Sequence, residues 1–447
     1  MCQRVASTSL IPDTPAGSQL RWYLETLASA GKNTSAADLK RFSASASIRT
    51  PFPGQGEDWI EGWRRASAAI GPFTPTSIEQ NGDFSVTVRA DGVNNTRRFS
   101  FRCDVEEHAP YLIKMLEYQR LLDVDVTVRE ASEADAAALS DLERRCPIVM
   151  GDMSMTIDRG TDYFAFTRLM DEAIVSIALV GGKVAGVNCG CYHDIRVGGK
   201  VYRTLTALHL RIDPQYQKKG LWGAVSSLFR QKHPEVVHSN AYISVENKAM
   251  QAGIANAPNK WTVNATRLQL PCASLLEGPS YGRHATQADA ARIVEILNAC
   301  HGSEEMYVPY SVESFTARVE RAPEFYSWDR LLMTDDAVVG VWPAGEKIRF
   351  VTDSKTGRVE SRRGLVVDYG FITGAERDLE SLLWAWCAQL KEQGLDTLTI
   401  FTSDASPGSG LLSSLADASE SYVVWTPGIA EPPSAAIYGI YVDSIYF

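Results

Sequence analysis

A repeated segment is the feature of this chain that most constrains its fold. The stretch VREASEADAAAL, beginning at Val128, matches GRHATQADAARI, beginning at Gly282, and a single offset pairs all the like residues. Each copy reads as a short strand, a Ser or Thr N-cap, an Asp that supports the helix N-terminus, and an apolar-periodic helix. Because the order of the later strands and helices also recurs, the sequence predicts one α+β plan that is used twice.

The length of the chain and its changes of pattern predict three domains. At 447 residues, the chain is too long for one ordinary hydrophobic core. We expect an accessory domain over residues 1–123, a first lobe over 124–278 and a second lobe over 279–447. The predicted fold class is therefore α+β, with two related lobes that follow a smaller N-terminal domain.

The N-terminal region reads as helices followed by strands. Helical spacing is found from Pro15 to Ala30, from Ser35 to Arg41 and from Asp58 to Ile70, and residues 84–116 then alternate as antiparallel strands. This order and the phrases WIEGWRRA and RFSFRCDVE resemble the NTF2-like or cystatin-like accessory domains of bacterial enzymes. The resemblance implies a curled α+β roll that either encloses a small ligand or acts as a packing or dimerisation module, so a homodimer is possible.

A strand, a turn and a helix follow one another over residues 206–231, TALHLRIDPQYQKKGLWGAVSSLFRQ. The turn closes on Gly220, and the helix follows directly. The first N–H donors of a helix lack internal partners and carry the positive end of its dipole, so such a turn can hold a phosphate or pyrophosphate. Lys218 and Lys219 add positive charge where that anion would lie.

The composition argues against several classes of partner. With a net charge of -10 and a pI near 5.3, a general nucleic-acid or anionic-membrane surface is not expected. The eight cysteines lack the paired spacing of zinc sites, and no metal site is predicted. The N-terminal stretch has no signal-peptide core, and no segment reaches the ~18 consecutive apolar residues of a membrane span. We therefore expect a cytoplasmic protein.

The repeat, the central strand and the Q-x-x-G turn together resemble the GCN5-related N-acetyltransferase superfamily over residues ~124–447. The pyrophosphate motif of that family, Q/R-x-x-G-x-G/A, falls on Gln217, Lys218, Lys219, Gly220, Leu221 and Trp222. Trp222 stands where a small residue is usual, and Gly223 follows it. The resemblance implies two tandem lobes with a mixed central sheet, and acetyl-CoA or another acyl-CoA as the cofactor of the first.

The same resemblance assigns roles to residues beside the turn. The backbone of Leu210, Arg211 and Ile212 would pair with the pantetheine amides, residues 217–223 would hold the pyrophosphate, and Asn247 would contact the cofactor arm. An amine of a small molecule would then attack the thioester directly. Acidic residues at the equivalent turn of the second lobe indicate that it has lost its cofactor and completes the acceptor cleft. Four of its residues either receive a cationic amine or pack in the core: Tyr307, Tyr310, Trp328 and Asp329.

The groups that would transfer protons are less well defined. The positions that hold a base in some relatives fall on Thr206 and Leu208, which cannot serve, so His209 and Glu246 are the candidate bases. Regular strand alternation would turn His209 away from the cleft, whereas a local bulge would reverse that.

The family's usual tyrosine acid has no counterpart after the ISVEN strand. Tyr242, a water molecule or a C-terminal carboxylate at Phe447 remain as alternatives, as does a CoA-binding protein that does not catalyse. We also expect a bulky acidic residue at Gly220 to abolish CoA binding while leaving the fold largely intact.

Overall fold

The computed structural model describes twelve ranges of the chain: residues 10–29, 35–49, 72–93, 97–122, 124–150, 152–160, 162–236, 238–248, 250–251, 260–273, 281–427 and 439–443. The helix predicted from Asp58 to Ile70 and the terminal residue Phe447 lie outside them. Among the helices within these ranges, none is long and apolar enough to cross a membrane.

The N-terminal region forms a helix packed on a sheet of five strands. Its elements are α1 (Pro15–Ala28), β1 (Phe42–Arg49), β2 (Phe73–Asn81), β3 (Ser85–Gly92), β4 (Arg98–Val105) and β5 (Ile113–Leu121). The order across the sheet is β1-β5-β4-β3-β2, and β1 runs parallel to β5. Thr14 caps α1, and the predicted apolar stripe of Leu20, Leu24 and Leu27 is buried against the sheet. The NTF2-like character of this α+β unit stays a prediction.

The remaining elements form two halves that share a strand and a helix followed by three strands, a helix and a strand, with different additional elements in each half. The first half contains β6 (Val126–Glu130), α2 (Ala136–Arg145), β7 (Ile148–Met150), β8 (Met153–Asp158), β9 (Ala173–Val180), β10 (Lys183–Val197), β11 (Lys200–Ile212), α3 (Leu221–Lys232), β12 (His238–Ser244) and β13 (Lys260–Pro271). The second contains β14 (Arg283–His284), α4 (Ala290–His301), α5 (Val312–Glu320), β15 (Leu331–Met333), β16 (Ala337–Trp342), β17 (Arg349–Ser354), β18 (Gly357–Ser361), β19 (Arg363–Phe371), α6 (Glu376–Glu392), β20 (Thr397–Thr402), α7 (Ser409–Leu415) and β21 (Ala418–Pro427).

The repeated segments begin the two halves with the same cap. Asp135 accepts hydrogen bonds from the N–H of Ser132 at 2.8 Å and from both terminal nitrogens of Arg129 at 2.8 Å. In the second half, Asp289 accepts from the N–H of Thr286 at 2.8 Å and from the guanidinium of Arg283. The arginine hydrogen bonds lower the pKa of both carboxyls far below their ordinary value. The repeat is therefore confirmed at the level of individual contacts.

The two halves interlock by exchanging their last strands. One sheet of twelve strands has the order β14-β15-β16-β19-β20-β13-β21-β12-β11-β10-β9-β6. The last strand of the first half, β13, pairs with β20 of the second, and the last strand of the second, β21, pairs with β12 of the first. A smaller sheet, β18-β17-β8-β7, also joins strands of both halves. The halves are thus related α+β lobes built on one continuous sheet, and the boundary near residue 279 stays a prediction.

Candidate active site

A β-bulge interrupts the central strand of the first lobe. In the antiparallel β10–β11 pair, Val187 is opposite Arg211 but Cys189 is opposite Leu208, so β11 contains one extra residue. His209 lies in this bulge with a φ of 54°, a value that few residues other than glycine adopt. Because a bulge changes the direction in which side chains point, the strict alternation that would turn His209 away from the cleft does not hold here.

Strands β11 and β12 separate immediately before the bulge. Their parallel pairing includes only four residue pairs and ends at Ala207 and Ala241, although β11 continues to Ile212 and β12 to Ser244. Beyond that point β12 pairs with β21 on its other side, and Arg211 and Ile212 pair with β10 on theirs. The backbone of Leu210 to Ile212 therefore lies along an opening, as expected for a strand that pairs with pantetheine amides. The Leu210 carbonyl already accepts a hydrogen bond from the Arg211 side chain at 2.8 Å.

The turn after β11 leads into α3 through residues with positive φ. Lys218 has a φ of 63° and Gly220, the N-cap, a φ of 92°. The first hydrogen bond of the helix joins the N–H of Ala224 to the Gly220 carbonyl at 3.2 Å. The N–H groups of Leu221, Trp222 and Gly223 precede that bond and face the helix start, where an anion is favoured.

Two residues at this helix start explain how the turn tolerates a tryptophan. Trp222 is 42% exposed, so its side chain points away from the helix packing. Gly223 is exposed, and a Cβ built on it meets no protein atom within 4 Å. Since glycine weakens a helix and nothing in the described structure requires it here, the open space fits the approach of a phosphate. The role of Gly223 and of the rest of this turn in holding a pyrophosphate stays a prediction.

The left-handed conformation of Gly220 corrects one prediction. At a φ of 92°, any side chain strains the backbone, so an acidic replacement there perturbs the fold as well as the site. Lys219 places its ammonium 5.2 Å from the centre of the Tyr216 ring, and Gln217 donates weakly to the Ile212 carbonyl at 3.4 Å. Both side chains pack on the turn itself.

The residues after β12 are arranged as a turn. Glu246 is exposed, and the structure assigns its carboxylate no hydrogen bond or ion pair within the described residues. Asn247 accepts a hydrogen bond from the N–H of Met250 at 3.1 Å, so its side chain caps the following turn. Their roles as base and as cofactor contact stay predictions.

His209 is a poor base in this environment. Arg159 donates to its Nδ1 at 3.1 Å, and the Phe166 ring packs edge-on at 4.5 Å. Burial, and then the positive charges of Arg159 and Arg211, lower its pKa well below the ordinary value. Protonating Nδ1 would place a cation and an N–H against the guanidinium, so the ring stays neutral. The bulge that the sequence left open as an alternative is present, but the histidine that it places has the wrong electrostatics for accepting a proton.

A second histidine, which the sequence did not single out, contacts Thr206, one of the two strand positions that hold a base in some relatives. His193 of β10 is buried and hydrogen-bonds through Nε2 to the Thr206 hydroxyl at 2.6 Å, which donates to Asn240 at 2.5 Å. Burial lowers the pKa of His193 to about 4, while nearby Asp443 and Asp171 oppose that shift. The available signal was a histidine in the strand that the turn at Gly198 and Gly199 pairs with the central strand.

The second lobe repeats the bulge and the separation of strands. Gly340 is opposite Asp368 and Val341 opposite Val366, so β19 has an extra residue, and β19 pairs with β20 only as far as Leu365. At its helix start, however, α6 has acidic residues in the first turn.

The chain itself lies over this opening of the second lobe. The N–H of Ile440 donates to the Ser403 hydroxyl at 3.1 Å, and Arg318 binds both oxygens of Asp443 at 2.9 and 3.0 Å. Arg318 also donates to Asp368 at 3.1 Å. Residues 439–443 are therefore fixed where a ligand would lie in the first lobe.

The four second-lobe candidates make contacts within the protein. Tyr307 is buried and donates to Asn298 at 2.8 Å, while Trp328 packs edge-on against Phe315 at 6.0 Å. The ring of Tyr310 packs against Tyr307 and Phe315, and Asp329 accepts a hydrogen bond from Ser327. These contacts favour the packing alternative for the three aromatic residues, whereas Asp329 is exposed and does not pack in the core.

The fold resembles solved acyltransferase structures. N-myristoyltransferase from Saccharomyces cerevisiae with bound myristoyl-CoA superposes with a TM-score of 0.50 at 11% identity, covering 70% of this chain and 81% of that chain. A GCN5-related N-acetyltransferase from Sphaerobacter thermophilus gives a TM-score of 0.44 at 13% identity, covering 69% and 99%. No family model and no curated protein sequence matches the chain. At these identities the likeness shows the fold alone: the chain is folded like N-myristoyltransferase over most of its length.

Proposed function

We propose that the protein is an acyl-CoA-dependent N-acyltransferase whose first lobe binds acetyl-CoA or another acyl-CoA. The observation that supports this most is the convergence of three features on β11 and α3. A bulge opens the strand edge, the edge has lost its partner, and the helix that follows starts with outward N–H groups beside the open space at Gly223. Together they fit a thioester, a pantetheine arm and a pyrophosphate in that order.

The residues present fit direct transfer without a covalent enzyme intermediate. The amine nitrogen attacks the thioester carbon, the C–N bond forms, and the C–S bond breaks to release CoA. Strand N–H groups at the bulge stabilise the oxyanion that develops. The buried thiols of the described cysteines have raised pKa values where a shift is resolved, as burial raises that of Cys191 to about 12, so they are poor nucleophiles.

The proton of the amine requires an acceptor other than His209. We infer that His193 accepts it at Nδ1. Thr206, the strand position that holds a base in some relatives, gives its hydroxyl proton to Asn240 and therefore accepts the Nε2–H of His193, which leaves Nδ1 as the basic nitrogen of the neutral imidazole. Asp443, held by Arg318, lies close enough to raise the pKa of His193 and so favours the imidazolium that forms.

The acceptor is proposed to be an amine of a small molecule, and the protein to work in the cytoplasm without nucleic-acid or membrane partners. The net charge of -10 supports the absence of a general surface for nucleic acid or anionic membranes.

A thermal-shift series with CoA, acetyl-CoA and longer acyl-CoAs, followed by mass spectrometry of amine panels, tests the proposal. Stabilisation by an acyl-CoA and a mass increase of one acyl group on an amine are expected. Failure of every CoA thioester to stabilise the protein refutes the proposal. Binding with no acylation across the panel favours the alternative, a CoA-binding protein that does not catalyse.

A further inference from the structure

His209 occupies a conformation that the fold has to maintain against strain. Its φ of 54° lies in the left-handed region, where non-glycine residues are uncommon, and the bulge is the point at which β11 leaves β12. Strained residues of this kind persist only when the surroundings hold them, and they concentrate at functional sites. The strain therefore indicates that the His209 side chain has a function, and its low pKa means that this function is not that of the base suggested by the sequence.

The partner of Nδ1 fixes the tautomer of His209. Arginine has only donors, so the 3.1 Å contact requires Nδ1 to be the acceptor and places the ring proton on Nε2. His209 as a whole residue is partly exposed. In the part of the chain that the structure describes, no side chain or carbonyl is hydrogen-bonded to Nε2, and Nε2 is not among the buried atoms that lack a partner. An N–H donor therefore remains accessible at the bulge.

Arg159 is itself held rigidly by a buried carboxylate. Its Nε donates to Glu143 at 3.1 Å, and the side chains of the two residues are 2% and 1% exposed. Tyr163 donates to the same Glu143 oxygen at 3.3 Å, and the guanidinium lies 4.0 Å from the centre of the Phe166 ring. A buried ion pair is costly to maintain, so this one is more easily explained by what it positions than by stability.

The charges around the ring all oppose its protonation. Arg159 faces it from the segment after β8, and Arg211 lies on β11 itself; both lower its pKa, after burial, which has the largest effect. Glu143 of α2 is already neutralised by Arg159. Cys189 on β10 is buried with a strongly raised pKa and stays a neutral thiol. The ring is thus a neutral donor across the range in which histidine ordinarily titrates.

We propose that His209 donates a hydrogen bond from Nε2 to the thioester carbonyl oxygen, and that Arg159 and Glu143 position it in that tautomer. The inference rests on the proposed acyltransferase function and adds a donor to it. As the amine attacks, negative charge develops on the carbonyl oxygen and the hydrogen bond strengthens, while the ring proton stays on Nε2. The amine proton leaves to another group, and CoA departs as the C–S bond breaks.

Two substitutions at the bulge separate a donor from a structural role. His209→Gln keeps an amide N–H that reaches the position of Nε2, whereas His209→Asn suits the positive φ but is too short. We expect kcat to fall about 100-fold in His209→Asn, the cost of one lost oxyanion donor, and less than tenfold in His209→Gln. The KM for acetyl-CoA should change less than threefold in both. Equal losses in the two variants, or a wild-type kcat in His209→Asn, overturn the proposal.

A spectroscopic measurement tests the tautomer without turnover. In protein labelled with ¹⁵N at its seven histidines, the His209 resonance is assigned by its loss in His209→Gln. We expect an unprotonated Nδ1, a protonated Nε2 and no titration between pH 5 and 8. In the double variant Arg159→Met/Glu143→Gln, which buries no lone charge, the pKa of His209 should rise toward its ordinary value, although burial and Arg211 still lower it. In the wild-type protein, titration of His209 between pH 5 and 8 or a proton on its Nδ1 overturns the proposal. Absence of acyl-CoA binding in the thermal-shift series refutes the proposed function instead.

Discussion

Replacing Gly223 with leucine has opposite expected effects on stability and on cofactor binding. Gly223 is the third residue of α3, and a Cβ there meets no protein atom within 4 Å. Leucine in a helix is more favourable than glycine by roughly 0.8 kcal/mol, which raises the Tm of a lobe-sized unit by about 2 °C. The new side chain also fills the space in front of the outward N–H groups. Loss of one charge-assisted hydrogen bond costs about 1.5–3 kcal/mol, so the Kd should rise at least ~10-fold.

The second lobe provides a matched control for this substitution. Gly410 is the second residue of α7, is exposed, and also has no protein atom within 4 Å of a built Cβ. Gly410→Leu should raise the Tm by a similar amount and leave the Kd unchanged. Differential scanning fluorimetry gives the two Tm values, and calorimetric titration of acetyl-CoA at one fixed salt concentration gives the two Kd values. A Gly223→Leu protein with the expected Tm and a Kd within twofold of the wild type would refute the phosphate cradle.

Four further substitutions test the surrounding network. His193→Gln should lower kcat with little change in the KM for acetyl-CoA, and it should flatten the pH dependence of unfolding. Because the folded pKa of His193 is lowered to about 4, the unfolded state binds the proton first, and stability falls by roughly 3 kcal/mol between pH 7 and 4. Asp135→Asn and Asp289→Asn should each lower the free energy of unfolding by about 1 kcal/mol in chemical denaturation, because the two residues make equivalent helix caps. Unequal losses would contradict that equivalence. Asp443→Asn should reduce kcat and destabilise the protein, because it leaves the buried Arg318 with one carboxylate; unchanged denaturation would contradict this.

Features that depend on neighbouring residues could be predicted from the sequence. The twin caps need only a Ser or Thr and an Asp three positions later, and the structure places Asp135 and Asp289 in equivalent contacts. The turn closing on Gly220 is equally local, since positive φ favours glycine whatever the tertiary context. The helix caps and the turn could both be predicted because their geometry is set by a few consecutive residues.

Features set by distant partners could not be predicted. The exchange of β13 and β21 depends on pairing between strands about 150 residues apart, for which no local pattern exists. The bulge in β11 is a shift of one residue in register, and only its consequence for His209 could be anticipated. The state of His209 depends on Arg159, fifty positions earlier, which determines whether the ring accepts or donates a proton.

The comparison of the two lobes predicts how many cofactors bind. Both central strands have a bulge and separate from their parallel neighbour, so duplication alone would give two sites. In the second lobe, residues 439–443 already hydrogen-bond to Ser403 and to Arg318 over the opening, and the acidic first turn of α6 repels a phosphate. The opening that would hold a ligand in the first lobe is therefore occupied by the chain itself in the second lobe. Calorimetric titration should give one acetyl-CoA per chain, and a stoichiometry of two would contradict this assignment.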